Sequence, residues 1–207
     1  MKKVVISTVF LLMMSYTYAQ TNDTLRKRNT LYFELFGQGL INSFNYDRLL
    51  VVKPKYATSL TVGFSSWGHL INTSVLKVNS SGIPISYNFL KRKNKHNLEI
   101  GLGLTISKFY MEDQFHDFFP LLKDGSTPIT TQNFWKLQVV PKIGYRLQKP
   151  GGGSFFKVSF TPIFPFWKKG EVTTDSGGDV TTVKVEKFTL FQEKGLAWIG
   201  IAFGVTF

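Results

Sequence analysis

The sequence predicts an all-β fold, an eight-stranded, antiparallel, up-and-down transmembrane β-barrel, on three observations. Apolar side chains recur at every second position in several stretches. The residues between them are small rather than charged. The chain opens with a segment built for export.

The alternation is clearest from Leu98 to Ile106, where Leu98, Ile100, Leu102, Leu104 and Ile106 are separated by Glu99, Gly101, Gly103 and Thr105. A period of two belongs to a strand with one apolar face. The C-terminal stretch repeats it, with Ala197, Ile199, Ile201, Phe203, Val205 and Phe207 set against Trp198, Gly200, Ala202, Gly204 and Thr206. So does the stretch in which Tyr56, Leu60, Val62 and Phe64 face away from Ala57, Ser59, Thr61 and Gly63. A soluble sandwich or calyx turns the apolar face inward and meets water with charged residues. A membrane barrel turns it toward lipid and packs small polar residues inside. The Gly, Ala, Ser and Thr between the apolar residues favour the membrane barrel. A soluble secreted β-barrel is the alternative fold.

Eight strands fit the pattern, at 29–37, 40–51, 56–66, 75–90, 97–109, 133–148, 154–167 and 188–207. Short turns at 52–55, 91–96 and 149–153 carry Lys53-Pro54, Asn94 and Pro150-Gly151-Gly152-Gly153. Longer connections fall at 67–74, 110–132 and 168–187. Barrels of this kind place short turns in the periplasm and long loops outside. The tight connection near Gly37-Gln38-Gly39 is the exception. Within the last connection, 171–174 and 180–185 flank Asp175-Ser176-Gly177-Gly178-Asp179 and predict a β-hairpin above the membrane.

The N-terminus has Lys2 and Lys3, then an apolar run from Val4 to Met14, then Thr17 and Ala19 at the small positions of a cleavage site. This is the layout of a secretory signal. The expected organisation is a signal peptide at 1–19, a periplasmic segment at 20–28 and a barrel domain at 29–207. The 207 residues hold 25 Lys and Arg against 13 Asp and Glu, a net +12. For an exported chain that excess points to anionic lipid or glycan partners before nucleic acid. The basic turn at Lys91–Lys95 lacks the interleaved aromatics of a nucleic-acid groove, so no nucleic acid is expected. The chain has no Cys, which excludes a disulfide scaffold, a thiolate metal site, a Cys nucleophile and a lipoprotein anchor.

Charges break the small-residue interior at six positions, Glu34, Asp47 and Glu99 against Lys142, Arg146 and Lys157. Three negatives against three positives predict a buried, paired network, because an unpaired buried charge is costly. The alternative for these residues is an ion gate, although a barrel this small is normally filled by side chains. The turns predict a basic periplasmic rim of Lys53, Lys55, Lys91, Arg92, Lys93 and Lys95. Loop 110–132 exposes Phe115, Phe118, Phe119, Leu121 and Leu122, an apolar cluster suited to a contact. Pro84, Pro141 and Pro162 sit inside proposed strands, where a residue without an N–H disturbs the ladder. They mark bulges, strand limits drawn too far, or a weak seam between the sixth and seventh strands that admits a lipid.

No enzyme machinery emerges. His69, His96 and His116 lack the spacing of a metal helix or of a nucleophile–base pair. His116-Asp117 near Glu112 and Asp113 is most simply a solvated acidic loop. No catalytic residue, cofactor or metal is expected.

Several segments carry a resemblance. Asn29-Thr30-Leu31-Tyr32-Phe33-Glu34 opens the barrel, Ile143-Gly144-Tyr145-Arg146 precedes a Gly-rich turn, and Phe155-Phe156-Lys157, Phe160-Thr161-Pro162 and a terminal Phe207 follow. With these the chain resembles the small eight-stranded outer-membrane barrels of Gram-negative bacteria, the OmpA-like and OmpX-like proteins. The resemblance implies a location in the bacterial outer membrane as a multi-pass barrel. It also implies recognition of the terminal aromatic by the barrel-assembly machinery, lipopolysaccharide outside and phospholipid inside. It carries over no catalytic residues. The function expected is non-enzymatic, structural or binding, through loops 110–132 and 168–187, including service as an accessory subunit of a larger envelope complex with a protein or glycan partner. The alternatives are a lipid-modifying enzyme and a narrow passive pore.

Overall fold

A computed structural model describes residues 27–72, 76–113, 129–176, 179–188 and 196–207. The export signal at 1–19, the segment from 20 to 26 and the loop residues Phe115 to Asp124 lie outside the described residues.

The strands are β1 (Asn29–Leu35), β2 (Asn42–Val52), β3 (Tyr56–Asn72), β4 (Leu76–Lys93), β5 (His96–Asp113), β6 (Ile129–Gln148), β7 (Gly153–Ser176), β8 (Asp179–Phe188) and β9 (Leu196–Thr206). Each pairs antiparallel with its neighbour, and β1 pairs with β9 to close the ring. The ring has eight positions. Its last is shared, because β8 and β9 lie one above the other on the same side of β7. Phe188 to Asp179 follow Trp167 to Ser176, and Leu196 to Thr206 follow Ile163 to Gly153.

The barrel is inside-out relative to a soluble protein. Leu98, Ile100, Leu102, Leu104 and Ile106 all face outward and are exposed. Asn88, Asp47, Ser59, Thr61, Glu99, Thr105, Arg146 and Thr161 are buried in the lumen. At about 3.4 Å per residue the outward apolar run of β5 covers roughly 27 Å of strand. With the ~35–45° tilt of barrel strands, it spans most of an apolar band ~25 Å tall. Aromatics border that band. Tyr56 stacks on Phe89 toward the short turns, and Trp135 stands half exposed toward the other end.

The strands outrun the sequence-based limits. β3 continues to Asn72, β5 to Asp113 and β7 to Ser176, while β6 starts at Ile129. The expected long connections at 67–74 and 168–187 are therefore largely strand, and strands take up both ends of 110–132, at 110–113 and 129–132. The reason is physical. Alternating hydropathy marks only the part of a strand with lipid on one side. Beyond the band both faces meet water, so the ladder continues while the pattern stops. The hairpin arms at 171–174 and 180–185 do pair, Glu171 with Lys184 and Thr174 with Thr181. The 171–174 arm also joins β6, Glu171 facing Asn133 and Thr174 facing Thr130, so the hairpin is part of a tall wall. That wall is one-sided, because β1 and β2 turn back at Phe36–Ile41.

The prolines are not in bulges, and the strand limits were not drawn too far there. Val139 faces Phe164 and Ile143 faces Phe160, which puts Pro141 directly opposite Pro162 with no change of register. Between those pairs the β6–β7 ladder is absent for three residues on each strand. That is the gap left when one hydrogen-bonding pair loses both N–H donors, since the rungs on either side share those bonds. The register shift lies higher, between Leu137 and Gln138. Pro84 keeps its place opposite Thr105, and beside it β3–β4 pairing lapses between Val62–Ile85 and Ser65–Gly82.

Candidate functional site: a filled lumen, a basic end and a tall wall

The inward positions of β1, β2, β5, β6 and β7 place Glu34, Asp47, Glu99, Lys142, Arg146 and Lys157 in one buried network within the lumen. Arg146 stands at the centre. Its Nε lies 2.8 Å from Glu99 Oε2 and its Nη1 lies 2.9 Å from Asp47 Oδ2. Glu99 Oε1 is also 3.4 Å from Lys142 Nζ and 3.9 Å from Lys157 Nζ. Lys157 Nζ reaches Glu34 Oε1 at 3.1 Å. Three carboxylates and three cations thus cancel within one cluster.

Neutral groups complete the network. Thr61 donates to Asp47 Oδ1 at 2.7 Å, and Asn88 donates to Thr61 and Ser59. Lys142 donates to Ser86 at 2.8 Å. Lys157 approaches the Tyr32 hydroxyl at 3.3 Å and stands 4.7 Å from its ring centre. Tyr32 stacks on Phe155, and Arg146 lies 5.2 Å from the Phe155 ring centre. Toward the turn end, Gln148 Nε2 donates to Thr30 and Thr206 and closes the floor. Sequence reasoning singled out the six charges by their phase. It missed Tyr32, Asn88, Gln148 and Phe155, which the same phase would have shown to point inward.

Above the network the β1–β2 connection folds into the barrel instead of standing above it. Phe36 and Leu40 take positive φ values of 54° and 70°, which swing Gly37-Gln38-Gly39 inward. Gln38 Nε2 crosses the lumen and donates to the carbonyls of Ile85 at 2.8 Å and Leu104 at 3.1 Å. Thr105 Oγ1 donates back to the Gln38 carbonyl. Gly103 leaves room for this turn, because a Cβ there would push the Gln38 amide aside from its two carbonyls. The lumen is therefore obstructed twice, by charge pairs and by a plug.

The tall wall carries a row that the sequence did not suggest. Lys136 pairs across to Lys168, and Lys168 to Lys187, so three lysines stand at one level on β6, β7 and β8. Lys136 lies 4.3 Å from the Phe109 ring centre and Lys168 lies 5.7 Å from that of Phe134. Exposed pairs knit its outer face, Lys77 with Glu112 and Lys169 with Glu186, each at 2.9 Å. Glu112 is held below the usual carboxylate range by hydrogen bonds from Lys77, first, and Tyr110.

At the opposite end the turns bring Lys53, Lys55, Lys91, Arg92, Lys93 and Lys95 together. Arg92 N donates to Lys55 O at 2.8 Å, which joins the two turns. His96 at the same end contacts Tyr145 through its ring nitrogen. The loop residues Phe115, Phe118, Phe119, Leu121, Leu122 and His116 lie outside the described residues. Among the described residues no group of three His, Cys, Asp or Glu could hold a metal.

Fold and lumen together define the class as a closed, filled eight-stranded up-and-down barrel with an apolar exterior. No family model matches the chain, and no curated protein matches it. Solved barrels do. CarO2 of Acinetobacter baumannii superposes with a TM-score of 0.50 at 10% identity, covering 88% of this chain and 99% of that one. CarO of the same organism gives 0.49 at 9% identity over 90% of this chain and 100% of its own. A major outer membrane protein from Thermus thermophilus gives 0.46 at 12% identity over 87% of this chain and 98% of its own. At such identity the likeness to CarO2 is one of fold.

Proposed function

We propose that this chain is a non-enzymatic outer-membrane barrel that holds a surface wall, the upper parts of β4 to β8, in place for binding outside the cell. The observation that carries this reading is the contrast between the two parts. The barrel itself is obstructed by a neutral network and a plug, which leaves no open conduit. The wall continues the same ladders well past the apolar band, where a mere membrane seal would have stopped. A rigid sheet rooted in a barrel suits contact with a glycan, lipopolysaccharide or an envelope protein, and it suits an accessory subunit of a larger complex. Outward aliphatics with aromatics at both borders support membrane residence.

The chain has no Cys, so single cysteines report topology directly. Thr181→Cys at the wall should react with a membrane-impermeant maleimide on intact cells. Lys95→Cys at the turn end should react only after permeabilisation. Planar bilayers holding the purified protein should show no discrete conductance steps. Mature protein soluble in the periplasm, or regular steps, would overturn the proposal. The lipid-modifying alternative has the Pro141–Pro162 seam in its favour. Lipid A profiles with and without the gene test it, and a mass change would favour it.

A further inference from the structure

The described charges are sorted by end. At the turn end, Lys53 and Lys55 occupy the β2–β3 turn, Lys91 to Lys95 the β4–β5 hairpin, Lys149 the β6–β7 turn, and Lys27 and Arg28 the entry to β1. Among the described residues of these segments there is no Asp or Glu. The acids nearest this end, Asp47 and Glu99, point into the lumen and are paired with Arg146. At the other end Glu112, Glu171, Asp175, Asp179 and Glu186 are mixed with lysines.

These cations form a continuous belt. Arg92 N to Lys55 O joins the first two turns, Gln148 N to Lys95 O joins the second to the third, and Lys27 N to Pro150 O joins the third to the entry segment, all between 2.8 and 2.9 Å. Backbone bonds fix the spacing, so the charge is held in place around the perimeter. Next to the belt, on the outward face, stand Tyr56, Phe89, Tyr145 and Phe207, all exposed. Leu98 stands level with Lys91 and Tyr145, Ile100 and Ile143 lie one outward pair further from the end, and Leu102 follows, so rings and aliphatic side chains begin directly at the belt.

We propose that this belt binds the headgroups of anionic phospholipids in the leaflet at the turn end, and so gives the barrel a one-sided lipid shell. The proposal rests on membrane residence as read above. The cations follow the circumference next to the apolar band, Lys91 and Lys93 in the outward phase of Phe89 and Lys27, Arg92 and Lys149 around the barrel mouth, rather than gathering on one side as a docking patch for an acidic protein would. Each cation near such a surface adds attraction that salt weakens within a Debye length.

The test is native mass spectrometry of the purified barrel after exchange with an equimolar mixture of phosphatidylglycerol and phosphatidylethanolamine, at low and high salt. Wild type should retain phosphatidylglycerol preferentially, and the preference should fall at high salt. Changing Lys91, Arg92, Lys93 and Lys95 together to Gln should lower it by roughly tenfold or more. A second variant, Lys53→Gln with Lys55→Gln and Lys149→Gln, spares the Arg92 contacts and should act in the same direction. Lys184→Gln with Lys187→Gln on the wall should leave it unchanged. Equal retention by wild type and both turn variants, or retention of an acidic protein in place of lipid, overturns the proposal. Insertion into phosphatidylethanolamine-rich vesicles is scored separately by heat-modifiable migration. A barrel that inserts without anionic preference defeats this inference alone, and one that does not insert defeats the membrane reading.

Discussion

Arg146 and Glu99 lie 2.8 Å apart, Nε to Oε2, with neither side chain reaching solvent. Arg146 lies between Glu99 and Asp47, and Glu99 among three cations. Removing either member of the pair strands charge inside a closed wall. Glu99→Gln should destabilise the barrel by about 3–5 kcal/mol. Glu112→Gln breaks only the surface pair with Lys77 and should cost less than ~1 kcal/mol. Unfolding midpoints from heat-modifiable gel migration compare the two. Equal midpoints would mean that Glu99 is hydrated and the strand phase is misassigned.

The facing prolines make a reverse prediction. Pro141→Val with Pro162→Val supplies two N–H donors to a register already in place. Two hydrogen bonds at roughly 0.5–1.5 kcal/mol each should stabilise the barrel by about 1–3 kcal/mol. Urea unfolding in detergent micelles measures it. An unchanged midpoint would mean that the gap is held open by packing rather than by missing donors.

The plug can be displaced from the far wall. Gly103→Leu places a side chain where Gln38 lies and should expel the turn. In a Leu40→Cys background, maleimide labelling should speed up at least roughly tenfold on expulsion, the kinetic counterpart of about 1.4 kcal/mol. Conductance should stay absent, because the charge network below the plug is untouched. New conductance would show that the plug alone seals the lumen.

Glu112 gives the wall a pH dependence. Hydrogen bonds from Lys77 and Tyr110 lower its folded-state proton affinity relative to the unfolded chain. Its contribution is therefore complete above the ordinary carboxylate range and is lost as pH falls through the lowered value. The Glu112 carboxyl carbon, followed by NMR, should titrate below the usual midpoint. Lys77→Ala should move that midpoint upward.

The barrel, its phase and the identity of its inward charges were legible because lipid on one side and a packed lumen on the other impose opposite chemistry on alternate residues. Leu98 to Ile106 could not have been phased the other way without burying five aliphatics among carboxylates. The wall was not legible. Thr173, Thr182 and Lys184 sit in ladders with water on both faces, and nothing in their hydropathy separates such a strand from a loop. The inward course of Gly37-Gln38-Gly39 was hidden for another reason. Two Gly around a Gln predict a turn, but its direction depends on Gly103 and Thr105, far along the chain. Pro141 and Pro162 were legible as a defect, while their direct opposition needed the register.

The ring closure has a kinetic side. Thr30 hydrogen-bonds Thr206 at 3.0 Å across a separation of 176 residues, and Gln148 donates to both. Every β1–β9 rung likewise joins the two extremes of the barrel. Such contacts carry the highest loop-closure entropy the chain offers and form late. Until they form, β1 and β9 are bare edges in a medium with no water to satisfy them. No half-barrel is then a resting place. The joining of β9 to β1 becomes the commitment step of folding, and any assistance in the cell must bring those two strands together.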